Sequence, residues 1–353
     1  MFLSRLTRLC HGKPVLIRSS LRLLSNSCSS SLLQTPPCSI ICAHPCGKDL
    51  GKLVIINATE DCCTYLEKKV PLELMKEMGT IGSSHGWVAT LKDDGIVCLQ
   101  DDLNPVASDS YPKRIPLPPL VTLPHCQTQI VTNIAMSSSS PEEEDCVVAI
   151  KFLGAQLSFC RPAQSNSEWT NIRIQNPCFF SSPVMFSKKD DTFRIPGSGG
   201  HLIGSWDLRT DNHNPKIQRL RFKNLPKMSK TKEELLDSCF KSEHLVESRT
   251  TDETFLVKWY REACWRGMTK LKTKALMVFK LDEQGNAVYT NDIGDLCIFL
   301  SKSEPFCVPD IDSNCVKIFD GDEMGLVYLP QSSITCGNDT FPAPYHIPPQ
   351  NID

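Results

Sequence analysis

Residues 87–100 read Trp-Val-Ala-Thr-Leu-Lys-Asp-Asp-Gly-Ile-Val-Cys-Leu-Gln, which is two short apolar runs joined by a polar turn. Trp87–Leu91 and Ile96–Gln100 are rich in aromatic, β-branched and other apolar residues, and the Lys-Asp-Asp-Gly sequence between them is typical of a turn. This stretch therefore predicts an antiparallel β-hairpin. The same alternation of short run and polar turn recurs along the chain, so it decides the fold class.

Twelve further strand-like runs extend the pattern through most of the sequence. They are Leu53–Ala58, Cys146–Phe152, Gln156–Cys160, Trp169–Ile174, Pro183–Phe186, Leu202–Trp206, Ile217–Phe222, Phe255–Tyr260, Lys274–Leu281, Leu296–Leu300, Val316–Phe319 and Gly325–Leu329. Many short antiparallel strands indicate a sandwich, a barrel or a propeller. Blades of about 40–50 residues would divide this stretch into six or seven units. We therefore predict an all-β fold, a β-propeller of six or seven degenerate blades.

One segment departs from the strand pattern. Thr231 and Glu234 have the spacing of a helix capping box, and Leu235, Leu236, Cys239 and Phe240 follow as an apolar face. We predict a short helical insertion near residues 231–241, packed on the rim or side of the β domain.

The N-terminus predicts an organellar address. Residues 1–48 contain no acidic side chain, five Lys or Arg lie in the first 22 residues, and seven serines lie between residues 19 and 31. This composition is typical of a transit peptide. Arg22 stands three residues before Ser25, as in mitochondrial cleavage sites, so we predict a transit peptide over residues 1–24. Mitochondrial import is the first interpretation and plastid import the second; an uncleaved basic tail would leave the protein in the cytosol or nucleus.

The remaining chain is acidic. Removal of five cations leaves 33 Lys plus Arg against 40 Asp plus Glu, a net charge near −7 with His neutral. Such a chain lacks the basic surface expected of a nonspecific nucleic-acid binder. The longest apolar run is also too short to span a membrane.

The predicted domain boundaries follow from composition. Residues 25–47 contain Pro36, Pro37 and Pro45 and predict a flexible linker. Residues 48–335 form the β-propeller-like domain, and residues 336–353 a Pro-rich C-terminal tail. Cys38, Cys42 and Cys46 lie in the predicted linker, but their spacing matches no common zinc or iron–sulfur site. We therefore predict no metal site and no cofactor.

The sequence offers one candidate for nucleophilic catalysis. Ser83 and Ser84 precede His85, and a serine beside a histidine is the beginning of a nucleophilic site. No orienting acid can be assigned, and a hydroxyl adjacent in the chain to the base rarely meets it productively. A tight turn with a backbone-bonded His85 is the favoured interpretation, so we predict no catalytic residue.

The richest cluster of aromatic residues and arginines predicts a partner-binding surface. Its members are Trp259, Tyr260, Arg261, Trp265 and Arg266. Trp, Tyr and Arg are enriched among the residues that dominate protein interfaces. Alternation of Phe255, Val257 and Trp259 also fits an ordinary half-buried strand, so core packing stays open as the alternative.

Several strings together resemble the plant domain-of-unknown-function 295 family, the F-box-associated KIB-type β-propeller proteins. The strings are Gly82–Trp87, Pro196–His201, Leu245–Ser248, Phe255–Tyr260 and Ile293–Leu300, the last continued by Ser301–Phe306. The resemblance covers roughly residues 48–335 and is closest to the organellar subgroup that carries a presequence. It implies a propeller fold and no established catalytic site.

The resemblance also bears on function. Relatives with an F-box carry a three-helix module before the propeller, and that module recruits a ubiquitin-ligase adaptor. Val70–Met78 is similar to the opening of an F-box, but Gly79 ends it and the Gly82–Leu91 strand motif follows. We therefore expect a non-enzymatic organellar propeller that binds a protein partner and derives from an F-box substrate-receptor family. The alternatives are a ubiquitin-ligase substrate adaptor and an enzyme with its site in the central channel.

Overall fold

The computed structural model describes residues 34–351, except 59–61, 77–78, 125, 127–129, 210–213, 267, 338–340 and 342, and omits the side chains of residues 265–269. The described strands form six sheets arranged as the blades of a propeller. The prediction of an all-β propeller is confirmed, with six blades. The predicted transit peptide, residues 1–24, lies outside the described residues.

Strands that follow one another in the chain and run antiparallel build blades 2 to 4 and most of blade 1. Blade 1 contains β1 (Cys38–Pro45), β2 (Leu50–Asn57) and β3 (Cys63–Pro71), and blade 2 contains β4 (Gly82–Ser84), β5 (Trp87–Leu91), β6 (Ile96–Gln100) and β7 (Arg114–Pro119). Blade 3 contains β8 (Val131–Met136), β9 (Val148–Phe152), β10 (Gln156–Cys160) and β11 (Thr170–Arg173), and blade 4 contains β12 (Met185–Ser187), β13 (Thr192–Pro196), β14 (Leu202–Trp206) and β15 (Lys216–Arg219).

The last two blades have five strands each. Blade 5 contains β16 (Arg221–Lys223), β17 (Phe240–Glu247), β18 (Thr254–Arg266), β19 (Met268–Leu281) and β20 (Asn286–Thr290). Blade 6 contains β21 (Leu296–Leu300), β22 (Phe306–Pro309), β23 (Cys315–Phe319), β24 (Met324–Tyr328) and β25 (Ser333–Cys336), and β26 (His346–Ile347) follows. Short 3-10 helices lie at Leu72–Met75 and Pro177–Phe179, and one α-helix, α1, spans Lys230–Ser238.

The hairpin that decided the fold class is β5–β6. Val88 pairs with Gln100 and Leu91 pairs with Val97. The turn is closed by the Asp94 carboxylate, which accepts a 3.0 Å hydrogen bond from the Ile96 amide. Gly95 follows with φ +81°, a left-handed conformation that glycine adopts without steric cost.

The ring closes through the two ends of the described chain, which corrects two predicted boundaries. In β26, Ile347 pairs with Cys38 of β1 and His346 pairs with Ser39. Residues 38–45, expected in a flexible linker, therefore form a strand, and the predicted tail supplies a strand of blade 1. The physical reason is that closure pairs an edge strand that would otherwise be open.

Blade 6 departs from the simple chain order of blades 2 to 4, as does blade 5, in which β16 pairs in parallel with β20. Its strand order is β22-β21-β23-β24-β25, and β21 and β23 run parallel. β22 contacts β17, the first strand of the blade 5 meander, so it lies at the axis. The connection from β21 to β22, residues 301–305, therefore carries its side chains to the centre of the ring.

The core lies mainly between neighbouring blades. Phe159, Phe179, Phe193 and Trp206 pack together between blades 3 and 4, with ring centroids of Phe159 and Phe193 5.1 Å apart. Burial of an apolar side chain of this size contributes about 1.5–3 kcal/mol. Contacts of this kind fix each blade against the next.

The helical insertion is confirmed by α1. Its N-cap is Ser229, whose side chain accepts a 3.3 Å hydrogen bond from the Lys232 amide, in place of the predicted Thr231. Leu236 is the buried residue of the helix, and Phe240 already belongs to β17. No helix in the described part of the chain is long and apolar enough to cross a membrane.

Candidate functional site

The longest hairpin of the described structure extends beyond its own blade. β18 and β19 have 13 and 14 residues, whereas most other strands have about five. β17 pairs with β18 only as far as Arg261, and β20 pairs with β19 only from Val278 onward. Residues 262–266 and 268–273 are therefore a two-stranded extension, which we call the hairpin extension.

Three carboxylates of blade 6 hold the base of the hairpin extension. Asp320 pairs with the Arg261 guanidinium at 2.9 Å. Asp322 accepts a 3.0 Å hydrogen bond from the Leu271 amide, and Glu323 accepts one of 2.9 Å from the Thr273 amide. Because no strand of the described structure pairs with this edge of β19, the carboxylates accept hydrogen bonds from amides that lie beyond the β20 ladder.

A cavity of about 720 Å³, the axial cavity, lies beside the hairpin extension. Its wall combines residues at the beginnings of inner strands with the connection at residues 301–305 and the β23–β24 turn. The lining residues are Thr132, Asn133, Ser181, Pro183, Ser242, His244, Trp259, Arg261, Lys270, Ser301, Lys302, Ser303, Pro305, Asp320, Gly321, Asp322 and Phe341. The cavity is concave, and its wall contains both cations and carboxylates.

Two of the five predicted partner-binding residues meet at this cavity. Trp259 is only 3% exposed, and its indole Nε1 donates to Thr273 Oγ1 at 2.7 Å. The Arg261 guanidinium lies 4.4 Å from the centre of the Trp259 ring. Trp259 is therefore a core residue that also forms part of the cavity wall, and its role in partner binding stays a prediction.

The other three predicted residues are placed differently. Tyr260 lies on the opposite face of β18, packed with the cluster around Leu256 and Phe279, and the Lys241 ammonium is 5.9 Å from its ring. Trp265 and Arg266 are at the far end of the hairpin extension. The structure thus brings Trp259 and Arg261 together and directs Tyr260 away from them.

Sequence reasoning missed His244, Lys302 and Asp320. His244 is half-buried, with its ring centroid 5.9 Å from that of Trp259 and a 3.1 Å contact to Ser242 Oγ. Burial, reinforced by the Arg261 charge, lowers the pKa of His244 to about 3, so the ring is neutral near pH 7. These residues belong to different blades or loops, and no local spacing signals that they meet.

A second polar group occupies the centre of the ring. Glu304 Oε1 accepts a 2.7 Å hydrogen bond from the Phe186 amide of blade 4. Its Oε2 accepts from Ser84 Oγ of blade 2 at 2.5 Å and from the Met136 amide of blade 3 at 3.4 Å. Burial raises the pKa of Glu304 to about 7, although these hydrogen bonds and the Arg249 charge act in the opposite direction. One carboxyl from blade 6 therefore connects three other blades.

Ser83, Ser84 and His85 of the Gly82–Trp87 string bond to different partners and not to one another. Ser83 Oγ donates to Ser303 Oγ at 2.7 Å, and Ser84 bonds Glu304. His85 Nδ1 instead lies 3.3 Å from a guanidinium nitrogen of Arg249, and burial and this charge lower the pKa of His85 to about 3. The two hydroxyls hold the ring together, and His85 belongs to a different contact.

Cys38, Cys42 and Cys46 form no metal-ligand set in the residues that the structure describes. In β1, Cys38 is buried whereas Cys42 is exposed, and Cys46, just after the strand, is exposed as well. The strand geometry therefore separates the thiols that lay close in the sequence.

Comparison with solved structures returns other propellers at low identity. The Cps50 (Swd1) β-propeller domain of Myceliophteria thermophila is 9% identical, with 90% of each chain covered and a TM-score of 0.36. A putative 6-phosphogluconolactonase from Bacteroides fragilis is 10% identical over 93% of this chain and 100% of that chain, with a TM-score of 0.35. The six-bladed lectin of Aleuria aurantia is 9% identical over 87% and 95%, with a TM-score of 0.32. None of the curated proteins with which the sequence was compared matches it.

Comparison of the sequence with models of protein families identifies one family. A family model described as KIB1-4 beta-propeller matches residues 55–332, which is well over half of the chain. The predicted KIB-type propeller is therefore confirmed, whereas plant origin and the organellar subgroup stay predictions. With six blades in the structure and this match along them, the chain belongs to the KIB1-4 β-propeller family.

Proposed function

We propose that this protein is a non-enzymatic β-propeller that binds a protein partner on the face formed by the axial cavity and the hairpin extension. The observation that carries the proposal is the hairpin extension itself, which leaves its blade at Arg261 and is held beside the cavity by blade 6. A projecting, braced element next to a concave surface is suited to recognition. Binding sites on rigid scaffolds are commonly built from such connecting segments.

The residue types at this face agree with an interface. Trp259 and Arg261 combine a buried aromatic ring with a stacked guanidinium, and these two residue types are prominent among interface hot spots. The blade 6 carboxylates fix the backbone of β19, so little conformational entropy is lost when a partner binds there. The face is therefore preorganised for contact.

The proposal also includes the subcellular location of the protein and its evolutionary origin. The acid-free N-terminus supports import into an organelle, with the mitochondrion first and the plastid second. The resemblance to F-box-associated proteins supports descent from a substrate-receptor family. Val70 and Pro71 end β3, and Leu72–Met75 form a 3-10 helix, so the segment that is similar to an F-box opening has another structure here. We therefore rank the ubiquitin-ligase adaptor second and an enzyme third.

Position-specific photo-crosslinking tests the binding face. The full chain with a C-terminal tag is expressed with p-benzoylphenylalanine in place of Lys272, which lies in the hairpin extension. The matched control carries it in place of Ile217, which is 45% exposed on β15 of blade 4. We expect a discrete, saturable protein adduct from position 272 alone. Equal adduct patterns at both positions would remove the assignment of this face.

The same tagged protein tests the proposed subcellular location. We expect the mature protein in purified mitochondria to begin near Ser25. An intact Met1 in the cytosol or nucleus, together with an adduct to a ligase subunit, would replace the organellar proposal with the adaptor.

A further inference from the structure

We propose that the axial cavity binds a carboxylate of the partner, presented by an acidic segment of the partner's chain. This inference rests on the proposed function and names the chemistry of the partner. It follows from a difference between the two kinds of charged group in the cavity wall. The carboxylates there are already bonded within the protein, whereas several donors are not.

The two aspartates of the wall are engaged. Asp320 Oδ2 pairs with Arg261, and its Oδ1 accepts hydrogen bonds from the amides of Asp322 at 2.8 Å and Glu323 at 3.0 Å. Asp322 Oδ2 accepts from the Leu271 amide at 3.0 Å. Both acids therefore brace the wall through hydrogen bonds within the protein.

Several hydrogen-bond donors of the cavity wall, in contrast, have no acceptor among the described residues. Arg261 Nε is buried and has no hydrogen-bond partner among the described residues, although Nη1 of the same guanidinium pairs with Asp320. The exposed Lys302 lies in the same wall and forms no ion pair with any described residue. Thr132 Oγ1 is also buried and has no hydrogen-bond partner in the described part of the chain. A buried donor without an acceptor is costly, so an incoming acceptor is favoured.

The charges of the cavity wall favour a negatively charged acceptor over a neutral one. Its cations are Arg261, Lys270 and Lys302, its acids are Asp320 and Asp322, and His244 is neutral near pH 7. The wall therefore carries one more cation than acids, and the acids already have donors. A carboxylate forms charge-assisted hydrogen bonds with arginine and lysine that are stronger than neutral ones. The Trp259 ring, stacked with Arg261, limits the approach of water on one side.

A protein segment fits this position better than a free small acid. The hairpin extension borders the cavity, because Lys270 belongs to both. A chain that places an acidic side chain in the cavity can therefore continue along the hairpin extension, and these added contacts are lost to a small acid. The assignment is thus to a peptide carboxylate.

A peptide-binding titration tests the inference. The probe is fluorescein-labelled hexaglutamate, titrated with the folded full-length protein at low salt and followed by fluorescence anisotropy; hexaglutamine is the neutral control. We expect hexaglutamate to bind at least about ten times more tightly than hexaglutamine. Hexaglutamine has side chains of the same length but no charge, so it cannot form the charge-assisted hydrogen bonds. Equal binding of the two peptides, or no binding of hexaglutamate, overturns the inference.

Variants locate the binding. Lys302→Gln removes an exposed cation whose side chain forms no ion pair with any described residue, and we expect hexaglutamate affinity to fall about five-fold. Lys302→Arg keeps the charge and should bind as the parent does. Lys223→Gln removes an exposed lysine on β16 and is the matched control, for which we expect no change. An equal loss in the Lys223 and Lys302 variants would show nonspecific attraction and overturn the site.

A competition experiment distinguishes a carboxylate of a peptide from that of a small free acid. Glutarate, a small dicarboxylic acid, should displace hexaglutamate only at concentrations far above that of the peptide. If glutarate competes as well as unlabelled hexaglutamate, the cavity is a small-molecule site and the peptide assignment is wrong. If the crosslink at position 272 captures a partner whose binding is unaffected by Lys302→Gln, the inference fails while the proposed function stands.

Discussion

Glu304 and Phe186 belong to different blades, and the Glu304 carboxyl accepts a 2.7 Å hydrogen bond from the Phe186 amide across the centre of the ring. The same carboxyl also reaches blades 2 and 3 through Ser84 and Met136. Because these contacts are far apart in the sequence, they form only when the ring is assembled. They therefore report on the complete propeller and not on any single blade.

The first prediction concerns the pH dependence of stability. The pKa of Glu304 is raised to about 7 in the folded protein from an ordinary value of 4.5, so the folded state binds the proton more tightly than the unfolded state. The contribution of this group to the free energy of unfolding is therefore greatest below pH 4.5 and is lost as pH rises through 7. Glu304→Gln keeps an acceptor for Phe186 and lacks the titration. We expect this variant to lose part of the decline in stability between pH 5 and pH 8, measured by urea unfolding.

A second substitution at this position gives the control. Glu304→Ala removes every one of these hydrogen bonds and should destabilise the domain by about 1–3 kcal/mol at pH 5. The loss relative to the parent should be smaller at pH 8, where the parent no longer has the full contribution of Glu304. An identical pH profile for the parent and Glu304→Gln would show that Glu304 does not titrate in this range.

The second prediction concerns Trp259. Trp259→Phe keeps a ring but removes the donor to Thr273 Oγ1, and we expect a loss of about 1 kcal/mol in the free energy of unfolding. Trp259→Ala also creates a cavity and should cost about 3–5 kcal/mol. Ile217→Ala, on an exposed position of β15, is the control with a change below about 0.5 kcal/mol. Urea midpoints measure all three, and equal midpoints for the two Trp259 variants would contradict a packed core position.

The third prediction concerns the brace of the hairpin extension. Asp322→Ala removes the acceptor of the Leu271 amide, so exchange of that amide with deuterium should become at least about ten times faster. Global stability should change by less than about 1 kcal/mol, because the rest of blade 5 keeps its ladder. Asp93→Ala, in the exposed β5–β6 turn, is the matched control. Unchanged exchange at Leu271 would mean that other contacts hold the extension.

The fourth prediction concerns ring closure. A chain that ends at Asn351 keeps β26 and the hydrogen bonds of Gln350 with Thr35 and Asn104. A chain that ends at Phe341 lacks both, together with the fully buried Tyr345. Loss of Tyr345 and Ile347 from the core should cost about 3–6 kcal/mol. We expect the shorter chain to unfold at a clearly lower temperature by circular dichroism, and the longer chain to match the parent. Similar melting of both would show that β26 is dispensable.

Much of the fold could be predicted because its signals are local. The β5–β6 hairpin and the capped helix α1 are encoded by residues within a few positions of one another. The pairing of Ser39 with His346 is different, since 307 positions separate the two residues and no periodicity connects them. Residues 38–45 were expected in a linker for this reason, and the prolines near their ends reinforced that expectation.

The candidate site shows the same limit. Trp259 and Arg261 could be named from residue type and from their spacing on one strand. Asp320 and Lys302 could not, because a β23–β24 turn and an inter-strand connection reach the cavity only through the ring geometry. The irregular strand order of blade 6, which places residues 301–305 at the axis, has no counterpart in a hydrophobic pattern.

The pairing of β26 with β1 also constrains the order in which the molecule can be completed. A ribosome releases the N-terminal residues first, so β1 is available long before residues 346 and 347 have been made. Until then blade 1 has three strands and an open seam toward blade 6. Synthesis of nearly the whole polypeptide must therefore finish before the circle can be locked, and a nascent chain stays an unsealed arc throughout translation.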